Sequence, residues 1–409
     1  MNNKFWLTNV FLEDGFINHT EEIKTTKTSK YSILVENGKI VKIQKEKIQE
    51  ENVEIIDVRG LLALPTFTDK HIHLDKGHFG GPWKACTPFK GVGDRIREEE
   101  EFLENFLPET TCRAEELLKL ITNNGVTHAR VHCNVDPIIG LKNLERVKEA
   151  LENFKDKLTY ELVAFPQHGL LRSDSIRLMK DAMNWGVNVV GGLDPATIDK
   201  NIEKSLEVMM DIAVEFNSDV DIHIHDGGNL GVYTINRLAD FTEEAKWQGR
   251  VNISHGFCMG NGPVEEVNEL VDRLAHLNIS VASTCPIDAP APPIPLLYEK
   301  GVKTYIVNDN INDHWSPFGT GDLVQKASRM AEKFSWIDEY SLTRALGFIT
   351  NGETPLNGRG ERVWPRIGEE ANILFVDASC SAEVIARRIP RKAVMFKGNL
   401  VSGELDRNK

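Results

Sequence analysis

The sequence predicts an α/β protein: an eight-stranded parallel barrel of the (β/α)8 type carrying a small β-sandwich built from the two chain ends. Three observations carry that prediction. Eight short apolar runs, each ending in or just before a polar or turn residue, divide the middle of the chain, and stretches with apolar residues three and four apart separate most of them. The two ends read instead as short β-branched or alternating segments with Gly-containing turns. After the first middle run stands Lys70-His-Ile-His-Leu-Asp, with none of the glycines that a doubly wound sheet uses there to bind a phosphate. The expected division is a (β/α)8 TIM barrel over residues 65–350, near the usual size of about 250 residues, and a composite β-sandwich domain from 1–64 and 351–409.

In chain order, Ser32-Ile-Leu-Val-Glu reads as a strand. Asn37-Gly38 is a hairpin turn, because both residues tolerate positive φ, and Lys39-Ile-Val-Lys-Ile is the return strand. Glu54-Ile-Ile-Asp-Val is another strand. The middle runs are 64–69, 126–133, 158–165, 187–191, 220–224, 251–254, 279–283 and 303–307. Residues 143–151, 205–214 and 264–274 have helical spacing, and Gly125, Gly186 and Gly301 stand where a helix stops before a strand. The run Glu98-Glu-Glu-Glu-Phe reads as the solvated start of a helix. Ala371-Asn-Ile-Leu-Phe-Val and Ala393-Val-Met-Phe close the chain as strands, with a turn at Lys397-Gly-Asn.

Composition narrows the function classes. Among 409 residues, 48 Lys and Arg face 61 Asp and Glu, a net charge of −13, which argues against a nucleic-acid surface. Hydrophobic residues make up 41% and charged residues 27%, an ordinary globular mixture. No apolar stretch is long enough to span a membrane, and the first residues lack the apolar core of a signal peptide, so the chain is expected to be cytoplasmic. The six cysteines, Cys86, Cys112, Cys133, Cys258, Cys285 and Cys380, form no CxxC pair and read as free thiols. The H-x-E and P-C-x-x-C signature of small zinc deaminases is absent.

The chemistry is carried by strand ends. His71 and His73 alternate on one strand and so share a face, which suits two imidazoles on one ion. His223 ends the fifth run, His255 the sixth and Asp309 the eighth. In a barrel these ends converge on the face where active sites are built. Four imidazoles and a carboxylate meeting there suit Zn²⁺, and also Fe²⁺ or Mn²⁺.

That order of ligands resembles the amidohydrolase superfamily, as does the lead-in Leu64-Pro-Thr-Phe-Thr-Asp-Lys-His-Ile-His, with Thr66 where glycine is common. Val163-Ala-Phe-Pro-Gln-His-Gly, Val189-Val-Gly-Gly and Asn308-Asp-Asn-Ile-Asn-Asp-His-Trp-Ser-Pro-Phe-Gly resemble its cytosine deaminase branch. Within that branch, His71-Ile-His-Leu-Asp-Lys76 is most similar to the N-isopropylammelide isopropylaminohydrolases. The resemblance covers nearly the whole chain. It implies a hydrolase that removes an amino or alkylamino group from a nitrogen heterocycle by attack of a metal-activated water. Two-metal members carry a carboxylated lysine at the end of strand four or, less often, a bridging acid; this chain has Val189-Val-Gly-Gly-Leu-Asp194 there, with no lysine. One divalent ion is therefore implied, zinc first and iron second, held by His71, His73, His223 and Asp309.

The same resemblance gives Asp309 a second role, accepting the proton of the attacking water, and has His255 polarise that water or stabilise the intermediate. Cytosine deaminases carry a glutamate three residues after the fifth-strand histidine; here Asp226 stands there, so Asp226, His225 or His255 is left as the proton shuttle. Substrate contacts are expected from Gln167, Lys76, Asn310, Trp315 and Asp194, with Lys76 binding a ring oxyanion or pairing with Asp75 or Asp194. His78, His132 and His168 read as structural. Two other readings stand beside this one: hydrolysis of a cyclic amide C–N bond, and a catalytically silent metal-binding scaffold. The expected partner is a small heterocyclic substrate, with no nucleic acid or membrane, and a homo-oligomer by family analogy.

Overall fold

The computed structural model describes residues 4–20, 24–45, 53–172 and 174–408. The N-terminal strands are β1 (Lys4–Asn18), β2 (Lys24–Glu36), β3 (Lys39–Gln44), β4 (Glu54–Asp57) and β5 (Leu62–Pro65). The barrel strands follow as β6 (Phe67–His73), β7 (Val126–Asn134), β8 (Thr159–Phe165), β9 (Val189–Leu193), β10 (Asp219–Ile224), β11 (Val251–His255), β12 (Ser280–Ser283) and β13 (Thr304–Ile306). The chain ends in β14 (Ile373–Val376), β15 (Arg391–Phe396), β16 (Asn399–Gly403) and β17 (Asp406–Asn408).

The eight middle strands pair in sequence order, all parallel, with helices between them. β9 and β11 are wholly buried and β8 is buried over its last four residues, which is why these strands appear in sequence as apolar runs. β13 is only three residues long, so the barrel closes through few contacts. The amide of Asp309 donates to the His71 carbonyl at 2.8 Å, and the buried Asp69 carboxylate accepts from the Asn308 side chain at 2.8 Å. The helices show the expected stripe: the helix Val264–His276 buries Val267, Leu270, Val271 and Leu274. The three helix-stopping glycines sit at φ of 99°, 94° and 78°, backbone that glycine adopts without strain.

A second sheet of nine strands takes β1–β5 from one end of the chain and β14–β17 from the other. Here the sequence reading needs two corrections. The run at 64–69 is two strands: β5 joins β1 and β14 in the second sheet, and β6 opens the barrel. The first strand, β1, spans 15 residues and is hydrogen-bonded along most of β2, where short strands were expected. Register shifts at Leu7/Val10 and Glu13/Gly15 break its alternation, so no period-two pattern marks it. Among the described residues no helix is long and apolar enough to cross a membrane.

A long excursion between β6 and β7 carries α1 (Val92–Phe106) and α2 (Thr110–Asn123). On α1, Ile96 packs with Phe165 and Leu193 at the strand ends, and Val92 and Trp315 lie against that cluster. The acidic run is not a solvated helix start. The helix begins earlier, at Val92, and Glu99 is fully buried.

Candidate metal and catalytic site

The strand ends bring His71, His73, His223, His255 and Asp309 together. Ring centroids lie 5.3 Å apart for His71–His73, 4.5 Å for His71–His223 and 5.1 Å for His223–His255. Asp309 Oδ1 is 3.3 Å from His71 Nε2 and 3.4 Å from His73 Nε2. Within the triads His71/His73/Asp309 and His71/His223/His255, the potential ligand atoms all lie within 4.8 Å of one another. His255 and Asp309 adopt positive φ, 72° and 63°, an unusual backbone for either residue and one held here by the barrel rim.

Burial holds His73, His223 and His255 well below the usual imidazole pKa, so each keeps a lone pair. Burial works to raise Asp309, but contact with His71 and the neighbouring imidazoles overcomes it, and the carboxylate stays ionised. His71 Nε2, both nitrogens of His223 and His255 Nε2 are buried without a hydrogen-bond partner. Several unpartnered imidazole nitrogens around one carboxylate would be costly in a dry interior. They fit a divalent transition metal, and the cluster is a potential metal site.

The tautomer of His71 is set from behind. Ser254 Oγ donates to Asp221 Oδ1 at 2.7 Å, so it can only accept from His71 Nδ1, also 2.7 Å away. The proton is therefore on Nδ1, and Nε2 offers its lone pair to the cluster. Arg130 balances the buried charge, donating to Asp221 at 3.0 Å and to Glu161 at 2.9 Å. His132 lies deeper than the sequence suggested: fully buried, stacked 3.9 Å from His71, with neither ring nitrogen hydrogen-bonded.

The other expected residues divide into two groups. His225 reaches the histidine ring, stacking 4.3 Å from His255, and Asp194 holds it through Nδ1 at 2.7 Å and through its amide at 2.6 Å. Burial would lower the His225 pKa, but Asp194 outweighs it and the net shift is upward. Asp226 turns aside to accept from Thr197 Oγ1 at 2.8 Å. Asn310 donates to Asp313.

Lys76, Gln167 and Trp315 form a second cluster, built around a residue the sequence reading assigned to solvent. Lys76 pairs with Glu99, at 3.6 Å, rather than with Asp75 or Asp194. It donates to Gln167 Oε1 at 2.6 Å and Asn134 Oδ1 at 3.0 Å. Trp315 Nε1 donates to Glu99 at 2.6 Å. Asn134 and Glu99 were missed, and only the helical phase of Ile96, Glu99 and Leu103 on α1 marks Glu99 as inward-facing. Burial pushes Cys258 up to about 12 and Cys285 up to about 11, so neither is a ready nucleophile.

Comparison with known proteins identifies the family. Residues 149–401, more than half of the chain, match the amidohydrolase family. An uncharacterized protein, YahJ, from Escherichia coli K12 is 41% identical over 98% of this chain and 88% of its own length. N-isopropylammelide isopropyl amidohydrolase from Pseudomonas sp. strain ADP is 30% identical, over 92% of this chain and 94% of its own. The crystal structure of N-isopropylammelide isopropylaminohydrolase from Burkholderia multivorans superposes with a TM-score of 0.87 at 28% identity, covering 98% of both chains. The chain belongs to the amidohydrolase family and is a hydrolase acting on carbon–nitrogen bonds.

Proposed function

We propose that this protein removes an amino or alkylamino group from a nitrogen heterocycle, with one divalent cation, zinc before iron, held by His71, His73, His223 and Asp309. The observation that carries the reading is the ring of buried, unpartnered imidazole nitrogens around an ionised Asp309. β9 supplies only Val, Gly and Leu beside it, without the lysine of two-metal relatives, which counts against cyclic-amide hydrolysis. A cation bound there supplies Lewis acidity and draws the pKa of a coordinated water towards neutrality.

The chain's own residues do the rest. Asp309 takes the proton of the attacking water, and His255 stabilises charge developing on the ring. His225, fixed by Asp194 and stacked on His255, delivers a proton to the departing nitrogen; without that proton the intermediate would revert to substrate. Asp226 accepts from Thr197 and takes no part in that step.

The test is amine release. Zinc-loaded and iron-loaded protein are incubated with N-isopropylammelide, 5-methylcytosine and pterin, and ammonia and isopropylamine are measured. Release from at least one ring, lost on chelation and restored by metal, is expected. Ring opening of a dihydropyrimidine with no amine release from any of the three would overturn the reading.

A further inference from the structure

The barrel has a second polar recess. A cavity of about 80 Å³ lies among residues that begin strands, Asp219 of β10, Val251 of β11 and Ser280 of β12, with Lys303 just before β13. His73 and His255 end their strands, so the cavity lies at the opposite end of the barrel from the histidine cluster.

Its inner wall is charged where barrels are usually packed with branched apolar side chains. Arg130 of β7 reaches across to Asp221 of β10, three strands away, donating from Nη1 at 3.0 Å, and its Nε donates to Glu161 at 2.9 Å. Arg130 is only 8% exposed and lines the cavity, and among the described residues its Nη2 has no hydrogen-bond partner. A buried guanidinium with unused donors beside a cavity lacks an acceptor.

The rest of the lining leans the same way. Lys303 is exposed and has no carboxylate partner among the described residues, and the Tyr305 hydroxyl makes no hydrogen bond there. The Asn252 NH₂ reaches only Ser254 Oγ, at 3.4 Å. Asp219, the one carboxylate of the lining, is taken by Arg250 Nε at 2.7 Å, and Asn252 Oδ1 by Ser280 Oγ at 2.7 Å. Lys70 pairs with Glu161 behind Arg130, so Lys70, Arg130, Arg250 and Lys303 face Glu161, Asp219 and Asp221, and one positive charge is left over. The cavity offers donors and positive charge, in several times the room that one water needs.

We infer that this cavity binds a small oxyanion, phosphate-like or carboxylate, and that its occupancy is felt at the metal centre through Arg130. Asp221, to which Arg130 donates, also accepts from Ser254 behind His71. An anion that draws on Arg130 leaves more of the Asp221 charge to Ser254 and so makes His71 a stronger ligand. By linkage, the metal strengthens anion binding by the same factor.

Sulfate is the probe, with acetate in parallel to separate a phosphate-type ligand from a carboxylate. Calorimetric titration of the zinc-loaded protein should show saturable binding of a single anion per chain. Lys303→Glu, at an exposed position, should weaken it by about tenfold with zinc content unchanged. Tyr305→Phe should give a smaller loss. Arg130 is left in place, because removing it would strand Asp221 and Glu161. Zinc affinity, read by competition with a chromophoric chelator, should rise by about fivefold when sulfate replaces chloride at equal ionic strength. In Lys303→Glu the two salts should give nearly the same value.

No saturable uptake of either anion, or uptake that Lys303→Glu leaves intact, overturns the site. Sulfate that binds without moving the zinc affinity overturns the link. The link rests on the proposed metal centre: protein that takes up sulfate but no zinc would count against that centre and leave the anion site standing.

Discussion

Two buried polar clusters meet at the barrel mouth, and they differ in how completely their atoms are partnered. Around Asp309, several imidazole nitrogens are buried with nothing to bond. Around Glu99, the ammonium of Lys76 has acceptors in Gln167 and Asn134 and a counter-ion in Glu99, and the carboxylate has Trp315 and Asn134 as donors. The interior tolerates both only if they serve different ends. An open set of lone pairs waits for something to be added, whereas a closed network holds orientations fixed before anything arrives. The second sheet offers a third case. Glu13 is as deeply buried as Glu99, but one of its oxygens accepts from the Ser381 amide and the other has no partner. Burial pushes Glu13 up to about 7, while Lys76 and its other partners carry Glu99 well below the usual carboxylate range.

The contrast can be broken most sharply at the open cluster. His71→Ala should lose bound metal and hydrolysis together, with turnover falling by about a thousandfold or more, since the metal's contribution to charge stabilisation goes with it. Retained hydrolysis would remove His71 from the site. Next in size is Asp194→Asn, which deprives His225 of its carboxylate partner. Turnover should fall by about 10²-fold, with metal content unchanged. An unaffected rate would move the proton-transfer role to Asp226 or His255.

Ser254→Ala probes the relay behind the open cluster. It should weaken zinc affinity by about 10- to 100-fold, read by competition with a chromophoric chelator. Unchanged affinity would mean that the tautomer of His71 is set elsewhere.

The smallest effect lies in the second sheet and depends on pH. The folded-state pKa of Glu13 lies above its ordinary value of 4.5, so folding favours the protonated form. The native state is unpenalised below about pH 4.5 and loses stability as pH rises towards 7. Glu13→Gln should therefore stabilise the protein at pH 8, by at most about 3 kcal/mol, and leave it unchanged at pH 4.5. Denaturant melts of both proteins at the two pH values measure this. Equal gains at both would mean that the effect is packing and not charge.

These regions also differ in how far the sequence discloses them. The barrel strands are legible because a parallel strand buried on both faces must be apolar throughout, and a histidine or aspartate at its end stands out against that background. His71, His73, His223, His255 and Asp309 are visible for that reason. Glu99 is hidden among four consecutive glutamates, where charge suggests solvent and only its phase with Ile96 and Leu103 suggests otherwise. Its burial follows from where the excursion between β6 and β7 settles, which no local pattern encodes. β1 is obscured differently, by bulges that reset its alternation.

The central claim is that the open cluster holds one metal ion. The direct measurement is metal per chain by plasma mass spectrometry on protein purified without added metal or chelator. The account predicts about one equivalent of zinc or iron. Two equivalents, or none with no uptake on reconstitution, would contradict it.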